Sequence, residues 1–462
     1  MSARFVNLDR QTPLLLPCDL RDWLPADHIV HLVLEAVEQI PTAHFRVNQR
    51  GTGSAQYPPA MMLALLIYSY ATGRFGSRTI EAATHSDVAV RFLCANTHPD
   101  HDSICTFRAN NKAAFQAAFV QVLELAHELK LTRVGTISVD GTKVQANASK
   151  HAAVSYQRAG ELITQLELEV QALVTRAEQA DASAPKETLN IPAELQRREK
   201  RLDALKHARA QIEIRAKEMA ALKKAEHQTK LAQRQTQRDA GRKPRGQDPP
   251  PPSDTPDAKA QYNFTDPESR IMKAGNGKHF AQAYNAQAAV DGAMLIVGQR
   301  VSDHANDKQE LAATVGVIST VVKSEVHLVL ADSGFYSENE VAKVEQNADG
   351  KSSGMTVYAA VEKQTHHKGL KDLETQPDPA APAATASAKE RMAYRMKTVV
   401  GKGLYKLRKQ TVEPVFGIIK EVLGFRRFRL RSKAKVELEW LIVCVSYNLK
   451  RLFTLKTQAA AG

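Results

Sequence analysis

Cysteine is scarce in this 462-residue chain: Cys18, Cys94, Cys105 and Cys444 are scattered, with no CxxC and no paired histidine spacing. That pattern argues against a zinc site or a disulfide framework and suits a reducing compartment. A secretory h-region is also missing from the opening MSARFVNLDRQTP. The longest apolar stretches, such as 437–447, are too short and too interrupted by charge to span a bilayer. There is no internal duplication, which excludes a repeat architecture. The expectation is a soluble intracellular protein. Acidic charge is the last shortage: 50 Asp and Glu face 63 Lys and Arg, for a net charge of +13. Such a balance points to a polyanionic partner, of which nucleic acid is the commonest. A generally basic soluble protein is the plain alternative. What is present is otherwise ordinary for a globular chain, with 43% hydrophobic and 24% charged residues, and the length allows two or three domains with real cores.

Residues 1–130 read as mostly helical. Asp27 to Ile40 has apolar residues at helical spacing behind an aspartate able to cap it. AMMLALLIYSYATG, after Pro58-Pro59, is apolar nearly all round and therefore buried. SRTIEAATHSDVAVRFL and CTFRANNKAAFQAAFVQVLELAHEL supply further helices, and Arg74, Arg78, Arg91 and Arg108 are expected at the surface of this domain, available for DNA or simply solvated. At 134–140 the pattern changes to the alternating, β-branched VGTISVD. Strand-like runs return at 283–291, 293–302, 326–332 and 355–361, with a helical run at 304–324. That order implies a mixed α/β sheet covered by helices.

Between the first two strands lies a helical hairpin. Leu162, Leu166, Leu173 and Ala177 share one face; Leu195, Leu202, Leu205, Ile212 and Met219 share another, across a break at 181–192. Its second arm is basic, with 16 Lys and Arg against 6 Asp and Glu over 195–245, so phosphate contact and a dimerising coiled coil with a solvated face are both compatible with it. GRKPRGQDPPPPSDTPDAKA and ETQPDPAAPAATASAKE read as linkers.

Three carboxylates stand out. Asp140 ends the first predicted strand and precedes Gly141; Asp332 ends another and precedes Ser333-Gly334. Ligands bind beyond the carboxyl ends of strands in α/β sheets, although a lone strand-end aspartate is commonly a turn or cap residue. Glu413 begins a helix-like run with Pro414 in its first turn, and Lys420 lies two helical turns on, on the same face. Tyr405, Arg408, Lys409, Arg426, Arg427, Arg429 and Arg431 make the surroundings strongly basic. Three carboxylates brought together by a fold can hold two divalent cations against a phosphodiester; a surface glutamate paired with Lys409 or Lys420 is the plainer reading. Asp307 is the rival for a seat in the triad, but NDK reads as a cap for the following helix. Asp291 and Asp303 read as turn residues.

The succession VDGT, ADSGFYS and TVEPVFGIIKEVLGFRRF resembles the DDE-type transposases of bacterial insertion sequences, in the branch with a ribonuclease H-like catalytic domain. NFTDPESRIMK and YNAQAAVDG are similar to family segments between the first two acids, and the resemblance covers nearly the whole chain except the hairpin and the linkers. It implies an α/β, ribonuclease H-like mixed-sheet core (131–152 and 260–365) with a helical N-terminal domain (1–130). It also implies an inserted basic helical hairpin (153–237), linkers at 238–259 and 366–390, and a C-terminal helical part of the core at 391–462. It makes Asp140, Asp332 and Glu413 the catalytic, metal-binding triad for two Mg²⁺ or Mn²⁺ ions. Lys420, Arg408, Lys409, Tyr405, Arg426 and Arg427 become DNA contacts. The family's Tyr-x2-Arg-x3-Glu-x6-Lys signature fits at Glu413 and Lys420; Tyr405 and Arg408 lie one residue too far upstream, and Lys409 holds the strict Arg position. The implied function is DNA transposition by a homodimer on double-stranded DNA. It would bind terminal inverted repeats, hydrolyse phosphodiesters and transfer strands, in the bacterial cytoplasm at the nucleoid. A stand-alone metal-dependent nuclease and a domesticated or inactive DNA-binding protein are the alternatives.

Overall fold

The computed structural model describes residues 20–47, 55–182, 190–239, 241, 247–274, 279–347, 349–361, 377–383 and 385–461. The start of the expected N-terminal domain, the middle of the hairpin break and parts of both linkers lie outside the described residues. The chain divides into two compact units. One comprises residues 1–144, 285–430 and 434–462, the other residues 145–284 and 431–433.

Among the described residues of the first unit, six α-helices come before the sheet: α1 (Ile29–Glu38), α2 (Pro59–Ala71), α3 (Ser77–Ser86), α4 (Val88–Leu93), α5 (His101–Asn110) and α6 (Lys112–Glu128). Proline at the start of α2 needs no N–H partner there, and ten of its thirteen residues are buried, as an all-round apolar helix requires. The cap of α1 is His28, whose side chain accepts from the Val30 N–H, and not the expected Asp27. Two runs that read as single helices are each broken: Asp87 caps α4 through the Val90 N–H, and Asn111 separates α5 from α6. Arg108, expected at the surface, is buried and donates to the Tyr70 hydroxyl at 3.1 Å. Tyr70 in turn faces the buried Glu439, which accepts the backbone N–H groups of Arg429 and Leu430.

The sheet follows with β1 (Thr136–Gln145). In the second unit come β2 (Ala153–Ser155), α7 (Tyr156–Ala182), α8 (Ile191–Asp239), β3 (Gln261–Asn263), β4 (Arg270–Ala274) and the start of β5 (His279–Val290). The first unit resumes with β6 (Ile296–Ser302), α9 (Leu311–Gly316), α10 (Thr320–Lys323), β7 (Leu328–Ala331), α11 (Glu338–Glu345) and β8 (Thr356–Ala359). It ends with α12 (Ala388–Lys397), α13 (Val399–Gly417), a π-helical turn (Ile418–Val422) and α14 (Lys433–Ala461). The expected helix at 304–324 is two short helices, because Ile318 between them bridges to Gly298 of β6. The approach is close: a Cβ on Gly298 would meet the Ile318 backbone at 3.1 Å, so a larger residue would push the bridge apart by a few tenths of an ångström.

The six-stranded sheet runs β4–β5–β1–β7–β8 with β6 also pairing β5; β4–β5 and β5–β6 are antiparallel and β1–β7 and β7–β8 parallel. The apolar stretch at 437–447 is the middle of α14, a core helix. Its Trp440 donates to the Gln287 carbonyl, and Asn448 exchanges hydrogen bonds with the Ile296 backbone at 2.8 Å each. No helix among the described residues is long and apolar enough to cross a membrane.

In the second unit α7 and α8 pack through Ala159, Ile163 and Leu166 against Leu202, Leu205, Ala208 and Ile212, on top of Val154 and Tyr262 from the antiparallel β2–β3 pair. Ion pairs Arg198–Glu169 and Lys206–Glu167 link the two arms. At 49 residues α8 outruns the 27 of α7. Part of the segment read as a free linker lies against its far half: Arg234 and Arg238 both bind Asp248, and His227 meets the Pro249 carbonyl.

Candidate active site

Beyond Val139 and Ala331, which face each other in the parallel β1–β7 register, the next residue on each chain is an aspartate. Parallel neighbours in register put equivalent side chains on the same face, so Asp140 and Asp332 stand side by side. Asp140 does not end its strand, as the sequence suggested; β1 continues to Gln145, although its pairing with β7 stops at Val139. Asp332 does follow its strand directly, and its carboxylate accepts the Ser333 N–H at 2.6 Å.

The Asp140 carboxylate accepts the Gly141 N–H at 2.8 Å on one oxygen and Arg408 Nη1 at 2.9 Å on the other. Burial pushes its pKa up to about 6. Arg408 and the Gly141 N–H oppose that rise, while the neighbouring Asp332 and Asp307 add to it. Glu413 is half exposed, and its Oε1 accepts Arg408 Nη2 at 3.0 Å. One guanidinium therefore bridges the first and third acids. Burial alone would lower the pKa of Arg408, but Asp140, Tyr405, Asp332 and Glu413 turn the shift upward. Tyr405 lies beneath that guanidinium, 5.6 Å from ring centre to Cζ, and its hydroxyl is 3.5 Å from Asp332 Oδ1.

These contacts follow from the phase of α13. Glu413 does not begin a helix; the helix starts at Val399, with Pro414 in its interior. Residues 401, 405, 408, 411, 412 and 415 form the buried stripe, which puts Arg408 inside and leaves Lys409 exposed on the outside. Thr411 fastens the stripe to β1 by donating to Ser138 Oγ at 2.7 Å. Proline removes one backbone donor, and four residues beyond it, at Ile418, the chain opens into the π-helical turn, a distortion that also resets the side-chain phase. Lys420 sits in that turn, where Nζ donates to the Lys143 carbonyl at 2.9 Å; burial lowers its pKa. Arg426 donates to the Lys420 carbonyl at 3.2 Å and pairs with Glu421; Arg427 is exposed.

Asp307 is not a helix cap, since α9 begins at Leu311 behind Glu310. Its carboxylate instead accepts Asn285 Nδ2 at 2.6 Å, Gln287 Nε2 at 2.8 Å and Lys143 Nζ at 3.3 Å. Reading the sequence for acids alone missed Asn285, Gln287 and Lys143. Two amides at a two-residue spacing in the otherwise apolar run AYNAQAAV were the available signal. Asp291 is a turn residue, accepting the N–H groups of Arg133, Ala293 and Leu295.

Paired carboxylates offer the hard oxygen donors that Mg²⁺ or Mn²⁺ prefers, and Asp140 with Asp332 fits that need. Glu413 does not complete the set in this arrangement. Among the described residues no group of three or more His, Cys, Asp or Glu side chains is gathered closely enough to hold a metal ion, and the Arg408 guanidinium stands between Asp140 and Glu413.

The structure places adjacent acids, Asp140 and Asp332, at parallel strands of an α/β sheet, with a helix carrying Arg408 and Glu413 packed across them. Two family models match the chain: a transposase DDE domain over residues 370–453 and a transposase domain (DUF772) over residues 18–110. Over these two stretches, neither of which spans half of its length, the chain is similar to DDE transposases. The first match contains Tyr405, Arg408, Glu413 and Lys420; Asp140 and Asp332 lie outside both. No curated protein and no solved structure matches the chain.

Proposed function

We propose that this chain is a transposase that binds the terminal inverted repeats of its element, cleaves phosphodiesters with divalent-cation help and joins the resulting 3′ ends to target DNA. The observation that carries the reading is the parallel register that sets Asp140 beside Asp332, with Arg408 bridging to Glu413 from the helix above. The strand order, third–second–first–fourth–fifth among the principal strands, supports a ribonuclease H-like core. Asp140 and Asp332 would hold Mg²⁺ or Mn²⁺, which when bound would supply Lewis acidity to a phosphodiester oxygen and activate water or a 3′-hydroxyl. Glu413 joins them once its bond to Arg408 is released.

The remaining residues bind and orient. Arg408 presents a planar fork suited to carboxylate or phosphate, so an incoming phosphate can take the guanidinium from Glu413. Tyr405 steadies Asp332 and lies under that guanidinium. Lys420, already partly desolvated, and exposed Arg427 with Arg426 and Lys409 offer positive charge to the DNA backbone. The N-terminal helical domain and the basic arm of α8 recognise DNA, and a homodimer on DNA brings two ends together at the bacterial nucleoid.

Cleavage of a duplex carrying the element end, in Mg²⁺, tests this. Asp140→Asn, Asp332→Asn and Glu413→Gln should each abolish 3′-hydroxyl products while leaving DNA affinity within a few-fold. Retained cleavage in any one of them removes that residue from the reactive set.

A further inference from the structure

Strand geometry puts Asp140 on one face of β1 and Gly141 and Lys143 on the other. On that other face lies a closed polar group that the proposed chemistry does not use. Asp307 accepts from Lys143, Asn285 and Gln287, and both amide side chains are fully buried. A carboxylate can only accept, so both amides turn their nitrogens toward it. Asn285 Oδ1 and Gln287 Oε1 are left buried without a partner. Orphaned oxygens in a core are unfavourable, and the fold tolerates two of them to keep three donors on one carboxylate.

The group is pressed against the backbone that carries the reactive acids. A Cβ on Gly141 would overlap the Gln287 amide nitrogen and lie 2.8 Å from both Asn285 Oδ1 and Asp307 Oδ1. Gly141 is the residue whose N–H holds the Asp140 carboxylate. The second oxygen of Asp307 reaches the other aspartate's loop, lying 3.9 Å from where a Cβ on Gly334 would be. Gly334 is two residues beyond Asp332, in the turn that opens with the Asp332–Ser333 hydrogen bond.

We infer that Asp307 is a positioning residue: from behind β1 it fixes the Gly141 and Gly334 backbones and so holds Asp140 and Asp332 at the separation the reaction needs. Lys143 joins the same device, because its ammonium neutralises Asp307 while its carbonyl accepts Lys420. The inference rests on the aspartate pair being the reactive centre. The four side chains act through backbone, as outer-sphere partners of metal ligands do, and disturbing such partners weakens metal affinity or activity by roughly 10–100-fold.

The test measures Mn²⁺ binding directly by electron paramagnetic resonance of the free ion, on the full-length protein without DNA, beside thermal melting and DNA affinity. Asp307→Ala should weaken Mn²⁺ binding by roughly 10-fold or more, with DNA affinity unchanged. Asp307→Asn keeps an oxygen facing Asn285 and Gln287 and loses only the ionic partner of Lys143. It should shift Mn²⁺ binding in the same direction with melting unchanged, and it carries the test if the alanine variant melts early. Gly141→Ala should reproduce the defect, and combining it with Asp307→Ala should add nothing beyond the larger single effect. Unchanged Mn²⁺ binding in Asp307→Asn and Asp307→Ala, with Asp140→Asn impaired, overturns this inference and leaves the site reading standing. Unchanged binding in Asp140→Asn as well overturns both.

Discussion

Replacing Asp140 by Asn should make the metal-free protein more stable while destroying its chemistry. The Asp140 carboxyl is pushed up to about 6 from an ordinary 3.8, chiefly by burial. A raised value means that the folded form binds the proton more tightly than the unfolded form does. The stability contributed by the neutral acid is therefore full below about pH 4 and is lost as pH rises through about 6. At about 1.4 kcal/mol per pH unit, the gap between the two values makes the ionised side chain unfavourable by about 3 kcal/mol at neutral pH. Asparagine keeps the shape and an acceptor for the Gly141 N–H but never ionises. Urea unfolding of both proteins in EDTA, from pH 4 to pH 8, gives the comparison. The variant should be level with wild type near pH 4 and more stable by about 1–3 kcal/mol above pH 6. Added Mg²⁺ should narrow the difference, because only wild type gains from binding it. A variant no more stable at pH 7 than wild type, or a difference that does not grow between pH 4 and pH 6, would refute the reasoning.

Arg408→Met should extend the same pH-dependent loss of stability, which still begins near pH 4, to values above 6, because the attraction that restrains Asp140 is gone; unfolding midpoints against pH report it, and an unextended curve contradicts the ion pair. Removing one partner of a buried pair typically costs about 3–5 kcal/mol, and protonation of Asp140 should hold the loss in Arg408→Met below that range at pH 6. On the far half of α8, Lys217, Lys223 and Lys224 are exposed. Changing all three to Glu should weaken DNA binding and flatten the logarithmic salt slope by about 3, near one for each phosphate that the arm no longer neutralises. An unchanged slope in filter-binding titrations takes that arm off the DNA.

Much of the scaffold was legible because local chemistry decides it. The β-branched alternation of VGTISVD, the all-round apolar run after Pro59 and the heptad-like leucines of the hairpin each emerge as the expected kind of element. What sequence could not supply is the register between distant strands. Only the pairing of Val139 with Ala331 sets the two aspartates side by side. Helix phase was the second gap. Starting the helix at Glu413 left Arg408 and Lys409 equivalent, whereas a start at Val399 buries Arg408 and exposes Lys409. The one-residue displacement from the family signature thus still delivers an arginine to the acids. Buried polar partners were the third gap. Arg108 looked like surface charge until Tyr70 and Glu439 enclosed it, and Asp307 looked like a cap until Asn285, Gln287 and Lys143 converged on it.

The central claim is that these acids cut DNA and also join it, which separates a transposase from a nuclease on the same kind of sheet. The most direct measurement supplies a pre-cut element end with a free 3′-hydroxyl, a supercoiled target plasmid and Mg²⁺, and looks for covalently joined product on a denaturing gel. The account predicts joined strands with wild-type protein and none with Asp140→Asn or Asp332→Asn. Plasmid nicking without joining, or joining that persists in either variant, would contradict it.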